Sequence, residues 1–350
     1  MSNAALSKID HPAAWTVKSL MAQQDKWIYQ FTAQDIAELD AALQQVKARG
    51  LIVPKFGKDD FPMPKLAAKL KGFLQSLSTG MGIFYLKGFP VERFSKDDAS
   101  AIFWGIGTYI GRPWQQNARG HVLGDVINEG RDPVKDMNAR GYQSTAELDL
   151  HTDGADIVGL LCLKQAPEGG ENQLCSAVSV FNKVIEDNPA AAQHLLETEY
   201  CFDWRGEQQP GEKPYYRSKL VTRQEDGSVA FFCITEYVRS AQRFEEVPRL
   251  SGEDLAAFDA YNKAKWDESL VLRLRQVPGD MLFLNNHFMM HARSEFKDAE
   301  DPRERRHLRR LWLETDDWHG KRPAAMNTLL VNARNYWEKN DVGVQMWDHK

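Results

Sequence analysis

The chain has 350 residues, 43% of them hydrophobic and 27% charged, with a net charge of −5, which is the composition of a globular protein with a sizeable core. This balance gives no indication of a basic surface for nucleic acid or an anionic membrane, and it leaves self-association into a homo-oligomer open. No apolar stretch approaches the ~20 residues of a transmembrane helix, and the first residues do not resemble a signal peptide, so we expect a cytoplasmic protein.

The first hundred residues have the apolar spacing of helices. Apolar side chains recur every three or four residues, which places them on one helical face. Hydroxyl and acidic residues stand where a helix N-terminus needs a cap. The predicted elements are a helix capped by Thr32 and Asp35 that ends before Gly50, a helix over 66–77, a buried strand over 82–86 and a helix that begins after Ser95.

After about residue 110 the apolar runs become short and turn residues become frequent, which is typical of strands. Together with flanking helices, short strands favour a β-sandwich core with helical additions, in a single domain over 1–350. Strands are predicted over 158–163, 219–222, 229–235, 270–276 and 281–285, with a hairpin turn at Asp226-Gly227, and helices over 179–197 and after Ser251.

The first candidate for chemistry is the sequence His151-Thr152-Asp153. On an extended segment, residues two apart point to the same side of the backbone. An imidazole and a carboxylate in this arrangement can bind one metal ion, and a distant histidine would complete a facial triad with open coordination positions. The pattern is short and also occurs in surface turns and hydrogen-bonded pairs.

His291 is the best candidate for the third ligand. It lies near the end of the strand that we expect to begin after Pro278-Gly279-Asp280. His287 is a competitor, because it is four residues earlier and would share the face of His291 on a regular strand. The alternative for His287 is a packing role beside the metal site.

The segment 305–313 combines arginines with an apolar Leu-Trp-Leu end, which suggests a strand that enters the core. Arg306 and Arg310 are four residues apart and would share a face of that strand. A buried arginine needs a carboxylate or an equivalent partner, and its planar fork suits a carboxylate. The alternative is a solvated basic segment.

Taken in order, these motifs resemble the taurine dioxygenase-like (TauD/TfdA) family. The resemblance covers about residues 80–315, with a helical N-terminal extension over about 1–80 and a C-terminal extension over 316–350. It implies a double-stranded β-helix, or jelly-roll, core, in the α+β to mainly β class. The matching segments are HTD at 151–153, GG at 169–170, PGDMLFLNN at 278–286, HAR at 291–293 and RRHLRRLWL at 305–313.

The resemblance also implies the roles of individual residues. His151, Asp153 and His291 match the family's iron ligands. Arg306 matches the arginine that binds the far carboxylate of 2-oxoglutarate, and Arg310 matches a position that contacts an anionic substrate group in some relatives. The implied reactants are Fe(II), 2-oxoglutarate, O₂ and a small, anionic substrate, and the products include succinate and CO₂.

One departure from the family pattern follows Gly169-Gly170. Many relatives have an acidic residue and then threonine or serine, whose hydroxyl helps to hold 2-oxoglutarate, whereas this chain has Glu171-Asn172. We expect the Asn172 amide to replace that hydroxyl.

Hydroxylation is favoured over halogenation, because Asp153 occupies the position where related halogenases have a small residue. Desaturation, ring formation and oxidative cleavage use the same ligands. Two functions of other classes stay open, a zinc hydrolase that uses the same ligands and a non-catalytic jelly-roll binding protein. Candidate pocket residues are Arg119, Asn128 and Tyr142, and segment 205–219 is either a loop over the site or a surface loop.

Overall fold

The computed structural model of the protein describes residues 6–116, 121–131, 135–136, 139–208, 211–224, 227–327 and 329. Within these residues the helices are α1 (Val17–Met21), α2 (Ala33–Ala48), α3 (Pro64–Thr79), α4 (Lys96–Ile110), α5 (Ala177–Asp187), α6 (Pro189–Glu197), α7 (Thr235–Ala241) and α8 (Gly252–Lys265). None of the helices in these ranges has the length and apolar content needed to cross a membrane.

The strands lie mainly in the second half of the chain. In order they are β1 (Ile28–Gln30), β2 (Ile83–Lys87), β3 (Arg112–Trp114), β4 (Leu123–Ile127), β5 (Leu148–His151), β6 (Ile157–Lys164), β7 (Glu168–Gly169), β8 (Asn172–Ser176), β9 (Tyr200–Asp203), β10 (Tyr215–Ser218), β11 (Val221–Arg223), β12 (Val229–Phe231), β13 (Leu272–Leu274), β14 (Met281–Asn285), β15 (Met289–Arg293), β16 (Phe296–Lys297) and β17 (His307–Glu314).

Two sheets build the centre of the fold. The large sheet has the order β1-β2-β14-β6-β17-β3, and β4 also pairs with β17. The small sheet has the order β13-β8-β15-β5. Apart from the parallel pair β1 and β2, neighbouring strands of both sheets are antiparallel.

Strand β6 shows how the large sheet divides two cores. Successive side chains of a strand point to opposite faces. Val158, Leu160 and Cys162 belong to one apolar cluster with Leu174 and other residues of the small sheet. The alternate residues of β6 pack in a second cluster with helices α2, α3 and α4. Two facing sheets with helices outside confirm the predicted jelly-roll core with flanking helices.

The N-terminal elements follow the predicted caps. The Thr32 side chain accepts a hydrogen bond from the Asp35 backbone, and the Asp35 carboxylate accepts one from the Thr32 backbone, which is a capping box. The description of residues before 80 as helical was incomplete, because Ile28–Gln30 forms β1 and adds a parallel strand to the edge of the large sheet. These three residues of the N-terminal region therefore belong to the large sheet.

The predicted helix over 179–197 was wrong as a single element. It is two helices, α5 and α6, that meet at Asn188-Pro189. Proline has no backbone N–H and clashes with the preceding turn, and the Asn188 side chain instead caps α6 by accepting from the Ala191 backbone at 3.2 Å. The strand predicted over 229–235 ends earlier, since Thr235 begins α7. Strands β11 and β12 pair with each other and form the predicted hairpin. Asp226, in the turn of this hairpin, lies outside the described residues.

The chain passes from one sheet to the other between Asn285 and Met289. Strand β14 ends at Asn285 in the large sheet, and β15 begins at Met289 in the small sheet. The expectation of one strand from Asp280 to His291 was therefore wrong. Because a turn separates them, His287 and His291 do not share a strand face.

Candidate metal centre

Three side chains converge at one point, two from neighbouring strands of the small sheet and one from the loop that follows β5. His151 is the last residue of β5, Asp153 follows it, and His291 lies directly opposite His151 on β15. Their ligand atoms all lie within 4.8 Å of one another. The Nε2 atom of His151 lies 3.9 Å from Asp153 Oδ1, and that of His291 lies 3.7 Å from Asp153 Oδ2.

This arrangement fits a metal ion. Ligands at about 2.1 Å from an ion and at right angles lie ~3 Å apart, so small side-chain movements would bring all three into coordination. The Nδ1 atom of His151 lies 2.8 Å from the Asp149 carbonyl oxygen, so a proton there leaves Nε2 with a free lone pair. His291 Nδ1 is buried without a hydrogen-bond partner among the described residues. Two imidazoles and one carboxylate are the donor set of a facial triad.

The charges of the site hold these ligands in the protonation states that a metal needs. Burial opposes ionisation of Asp153, but Arg310, the two histidines and a hydrogen bond from Trp312 outweigh it and lower its pKa to about 2. Burial and the neighbouring His151 lower the pKa of His291 to about 3, although Asp153 acts in the opposite direction. At neutral pH the centre therefore offers a carboxylate and a neutral imidazole.

A side-chain amide fixes the loop that carries Asp153. Asn286 lies in the turn between β14 and β15, and its Oδ1 atom accepts a hydrogen bond from the Asp153 backbone at 3.1 Å. Its Nδ2 atom donates to the Ala155 carbonyl at 2.8 Å, and its backbone donates to the Asp156 carbonyl at 2.8 Å. The turn that leads to His291 thus also positions Asp153.

The competing histidine has a different environment. His287 is fully buried, its Nε2 atom lies 2.9 Å from Asp156 Oδ1, and its ring stacks on Trp318 at a centroid distance of 3.6 Å. Asp156 also accepts two hydrogen bonds from Arg322 at 2.7 and 2.8 Å. The structure therefore places His287 in a buried network next to the metal loop and outside the three-residue cluster.

The Arg306 side chain is buried and has no anionic partner among the described residues. Its side chain is bound by Gln165, whose Oε1 accepts from Nε at 3.2 Å, and it lies over the Phe296 ring at 5.4 Å. Burial lowers its pKa to about 10, so it stays charged at neutral pH. Among the described residues no carboxylate forms an ion pair with Arg306, and its terminal nitrogens donate no hydrogen bond. A buried guanidinium with free donors requires an external anion.

Arg310 lines the same cavity and contacts the metal ligand itself. Its Nε donates to Gln116 Oε1 at 2.7 Å, and its Nη1 lies 3.4 Å from Asp153 Oδ2. The guanidinium also lies over the rings of Tyr142 and Trp312, at 5.1 and 4.9 Å. This ion pair lies at the centre of the site, because Asp153 is one of the three clustered residues.

Other arginines of the 305–313 segment have different roles. Arg309 points to the opposite face of β17, where it is fully buried and donates to Ser100 and to Asp125. Arg305 is exposed. Arg306 and Arg310 thus face the cavity together, as the spacing predicted.

The remaining candidates divide between the cavity and other surroundings. Asn172 and Tyr142 line the cavity, and the Asn172 amide donates to Gln276 Oε1 at 2.9 Å. Asn128 does not line it, because its amide donates to Asp298 at 3.1 Å. Arg119 lies outside the described residues. The pocket expectation for Asn128 was therefore wrong.

The cavity has a volume of about 210 Å³ and extends well beyond the triad. Its far wall comes from β10, α7 and the segments around Arg140 and Trp204, so part of the segment 205–219 contributes to it. The individual residues of this wall were not predicted as part of the site. Trp312 was also missed, although it lies two residues after Arg310, on the same face, and donates to Asp153 at 2.8 Å. The far-wall residues include Arg140, Trp204, Arg205, Glu207, Tyr216, Glu236 and Tyr237.

Comparison with known proteins agrees with this geometry. The sequence model of the family described as "Taurine catabolism dioxygenase TauD, TfdA family" matches residues 48–312. "FR-33289 synthase" of Streptomyces rubellomurinus (strain ATCC 31215) is 27% identical over 83% of this chain and 86% of its own length. "Taurine hydroxylase-like protein SAT17" of Stachybotrys chartarum (strain CBS 109288 / IBT 7711) is 28% identical over 89% of this chain and 80% of its own.

Solved structures share the fold at low sequence identity. An asparagine oxygenase in complex with Fe(II), 2S,3S-3-hydroxyasparagine and succinate superposes with a TM-score of 0.62 and 14% identity, over 85% of this chain and 98% of its own. The non-heme iron oxygenase OrfP in complex with Fe gives a TM-score of 0.60 and 17% identity, over 85% of this chain and 97% of its own. At such identities the likeness shows the jelly-roll fold.

Proposed function

The chain belongs to the taurine catabolism dioxygenase TauD, TfdA family and is an Fe(II)- and 2-oxoglutarate-dependent dioxygenase, and we propose that His151, Asp153 and His291 hold its iron. The observation that carries this assignment is the convergence of their ligand atoms within 4.8 Å in a cavity that also contains a buried arginine, Arg306, with no ion pair in the described part of the chain. Neither a zinc hydrolase nor a simple binding protein explains why a buried arginine, Arg306, lies in the same cavity.

Arg306 binds the far carboxylate of 2-oxoglutarate in this proposal. Its terminal nitrogens are free for a bidentate pair, and the anion would neutralise a charge that is otherwise buried alone. Asn172 lies on the same cavity wall, and its amide, oriented by Gln276, supports the cosubstrate. When iron, oxygen and 2-oxoglutarate are bound, the centre couples release of succinate and CO₂ to oxidation of a C–H bond.

The protein's own contribution is to position the reactants and to exclude water. Trp312 and Arg310 restrain the Asp153 carboxylate, and Asn286 restrains its backbone. An intact carboxylate ligand favours hydroxylation over halogenation.

For the substrate we propose a small molecule with an acidic group near Arg310. Among the described residues Arg310 forms one ion pair, with Asp153 at 3.4 Å, and that carboxylate is assigned to the metal. Metal binding would therefore leave the guanidinium with capacity for a second anion. Taurine, which the family description names, has an acidic group of this kind.

The decisive test is to add Fe(II) and 2-oxoglutarate to the protein without oxygen. We expect a visible charge-transfer absorption band, because bound 2-oxoglutarate is coordinated to iron held by the protein. The same protein with Zn(II) is the control and should give no band. Admission of oxygen should then release succinate. If saturating iron and 2-oxoglutarate gave no band, and oxygen then released no succinate, the proposed function would be contradicted.

Replacing Arg310 tests the substrate assignment. We expect Arg310→Ala to reduce substrate-stimulated succinate release by about tenfold or more, measured with the small acid that stimulates the wild type most strongly. The 2-oxoglutarate requirement and the thermal unfolding temperature should change little, because Arg306 and the fold are untouched. Equal losses of 2-oxoglutarate affinity and of stimulated turnover would assign Arg310 to the cosubstrate instead.

A further inference from the structure

The far wall of the cavity contains another buried arginine, Arg205, that the proposed function does not use. Arg205 has a side chain that is 6% exposed and lines the cavity. Its Nε is buried without a hydrogen-bond partner among the described residues. Its Nη1 reaches the Ala139 carbonyl only at 3.4 Å. This guanidinium therefore has donors that the protein leaves unused.

The carboxylate that pairs with Arg205 is a weak partner. Glu236 Oε1 lies 2.8 Å from Arg205 Nη2, but the Glu236 side chain is 59% exposed. Water screens an exposed carboxylate and lets it move away, so it compensates a buried charge poorly. An acidic group of a ligand could replace it at small cost.

The backbone holds Arg205 in place for such a ligand. Arg205 has a φ of 51°, the left-handed conformation that residues other than glycine rarely adopt. Its N–H donates to Asp203 Oδ1 at 2.8 Å, and the buried Asp203 in turn accepts from Ser240 at 2.5 Å and Arg243 at 3.1 Å. Residues with strained backbone conformations that their surroundings hold in place occur frequently at binding sites.

Neighbouring groups extend this region. The Tyr237 ring lies 4.6 Å from the Arg205 guanidinium and 5.6 Å from that of Arg140. Arg140 donates a hydrogen bond to the Tyr237 hydroxyl, and its charge is matched by Glu207 at 2.5 Å. The Tyr237 O–H donates to no acceptor among the described residues, so it can serve a ligand oxygen.

We propose that the primary substrate carries a second acidic group, a carboxylate, sulfonate or phosphonate, that binds to Arg205 with help from the Tyr237 hydroxyl. This inference rests on the proposed function, in which the first acidic group lies near Arg310 beside the metal. The substrate is then a molecule with two acidic groups, and the carbon to be oxidised lies between the two arginines or beside the first.

The test measures binding and does not require the natural substrate. The protein is loaded with Fe(II) and 2-oxoglutarate without oxygen, and alkanedisulfonates with chains of two to six carbons are titrated calorimetrically beside the matching monosulfonates. We expect at least one disulfonate to bind the wild type about tenfold or more tightly than its monosulfonate, because a second charge-assisted contact is made.

Two variants separate this contact from a folding defect. Arg205→Gly should abolish the advantage of the second sulfonate without harming the backbone, since glycine adopts a positive φ freely. Glu236→Gln should increase the advantage, because the competing carboxylate is removed, and a folding defect cannot produce tighter binding. Arg239→Ala changes an exposed arginine on the same helix α7 and should behave like the wild type.

Three results would overturn the inference. They are no disulfonate advantage in the wild type at any chain length, an unchanged advantage in Arg205→Gly, and a decreased advantage in Glu236→Gln. The visible band of the same loaded sample reports separately on the proposed function. A band without a disulfonate advantage rejects the second acidic group alone, while absence of the band rejects the iron and 2-oxoglutarate assignment.

Discussion

Replacing any one of His151, Asp153 or His291 by alanine is expected to reduce iron-dependent turnover of 2-oxoglutarate by more than about 100-fold. Each variant leaves two ligands, which are too few to hold the ion in a fixed position. The loss should appear in two measurements, succinate release in the presence of oxygen and the visible band of the anaerobic Fe(II) and 2-oxoglutarate complex. Circular dichroism should show that the variants remain folded.

Two other histidines provide the controls for this experiment. His319 is exposed, and His319→Ala should retain full turnover. His287→Ala should lower the free energy of unfolding, because it removes a buried partner of Asp156, but it should retain the visible band when iron is saturating. If His287→Ala lost the band and His291→Ala kept it, the third ligand would be misassigned.

Arg306→Ala is expected to raise the 2-oxoglutarate concentration needed for half-maximal turnover by about 100-fold, which corresponds to ~3 kcal/mol. The physical reason is the loss of two charge-assisted hydrogen bonds to one carboxylate in a buried place. Arg306→Lys should recover only part of the affinity, because an ammonium group keeps the charge but lacks the fork.

The adjacent arginine makes a matched control for Arg306. Arg305 has the same charge one residue earlier but is exposed, and Arg305→Ala should leave 2-oxoglutarate affinity unchanged. Iron affinity should stay the same in both variants, as measured by titration of the metal in the absence of 2-oxoglutarate. Unchanged 2-oxoglutarate affinity in Arg306→Ala would refute this residue's role.

Much of the metal site could be predicted because it follows from short-range geometry. The pair His151 and Asp153 needs only a spacing of two residues to bring its side chains to one side, and the structure places their ligand atoms together at and just beyond the end of β5. The helix caps at Thr32 and Ser251 likewise depend on residues three positions apart. Patterns of this kind are complete within one local segment.

The errors came from places where tertiary structure overrides local periodicity. The strand expected to contain both His287 and His291 is interrupted, because the chain changes sheets after Asn285. Periodicity alone also joined α5 to α6, although Pro189 was visible in the sequence as a breaker.

The far wall of the cavity could not be predicted for a different reason. Arg140, Arg205 and Tyr237 come from three separate segments, and none has a pattern that distinguishes it from a solvated surface residue. Only the fold brings them to one cavity. The feature that distinguishes Arg205 is its left-handed backbone conformation. The sequence does not indicate such a conformation when the residue is not glycine.

The buried carboxylate of Asp156 has a consequence for how the enzyme is made. Asp156 follows the metal loop by three residues, His287 precedes the third ligand by four, and Arg322 comes from beyond the part of the chain that matches the family. His287 and Arg322 each bind the Asp156 carboxylate, which is left without these partners when they are apart. During synthesis from the N-terminus, the ribosome must therefore pass Arg322 before this network can form beside the iron site. A nascent chain that already contains all three proposed ligands would thus still lack a rigid iron site until Arg322 has been added.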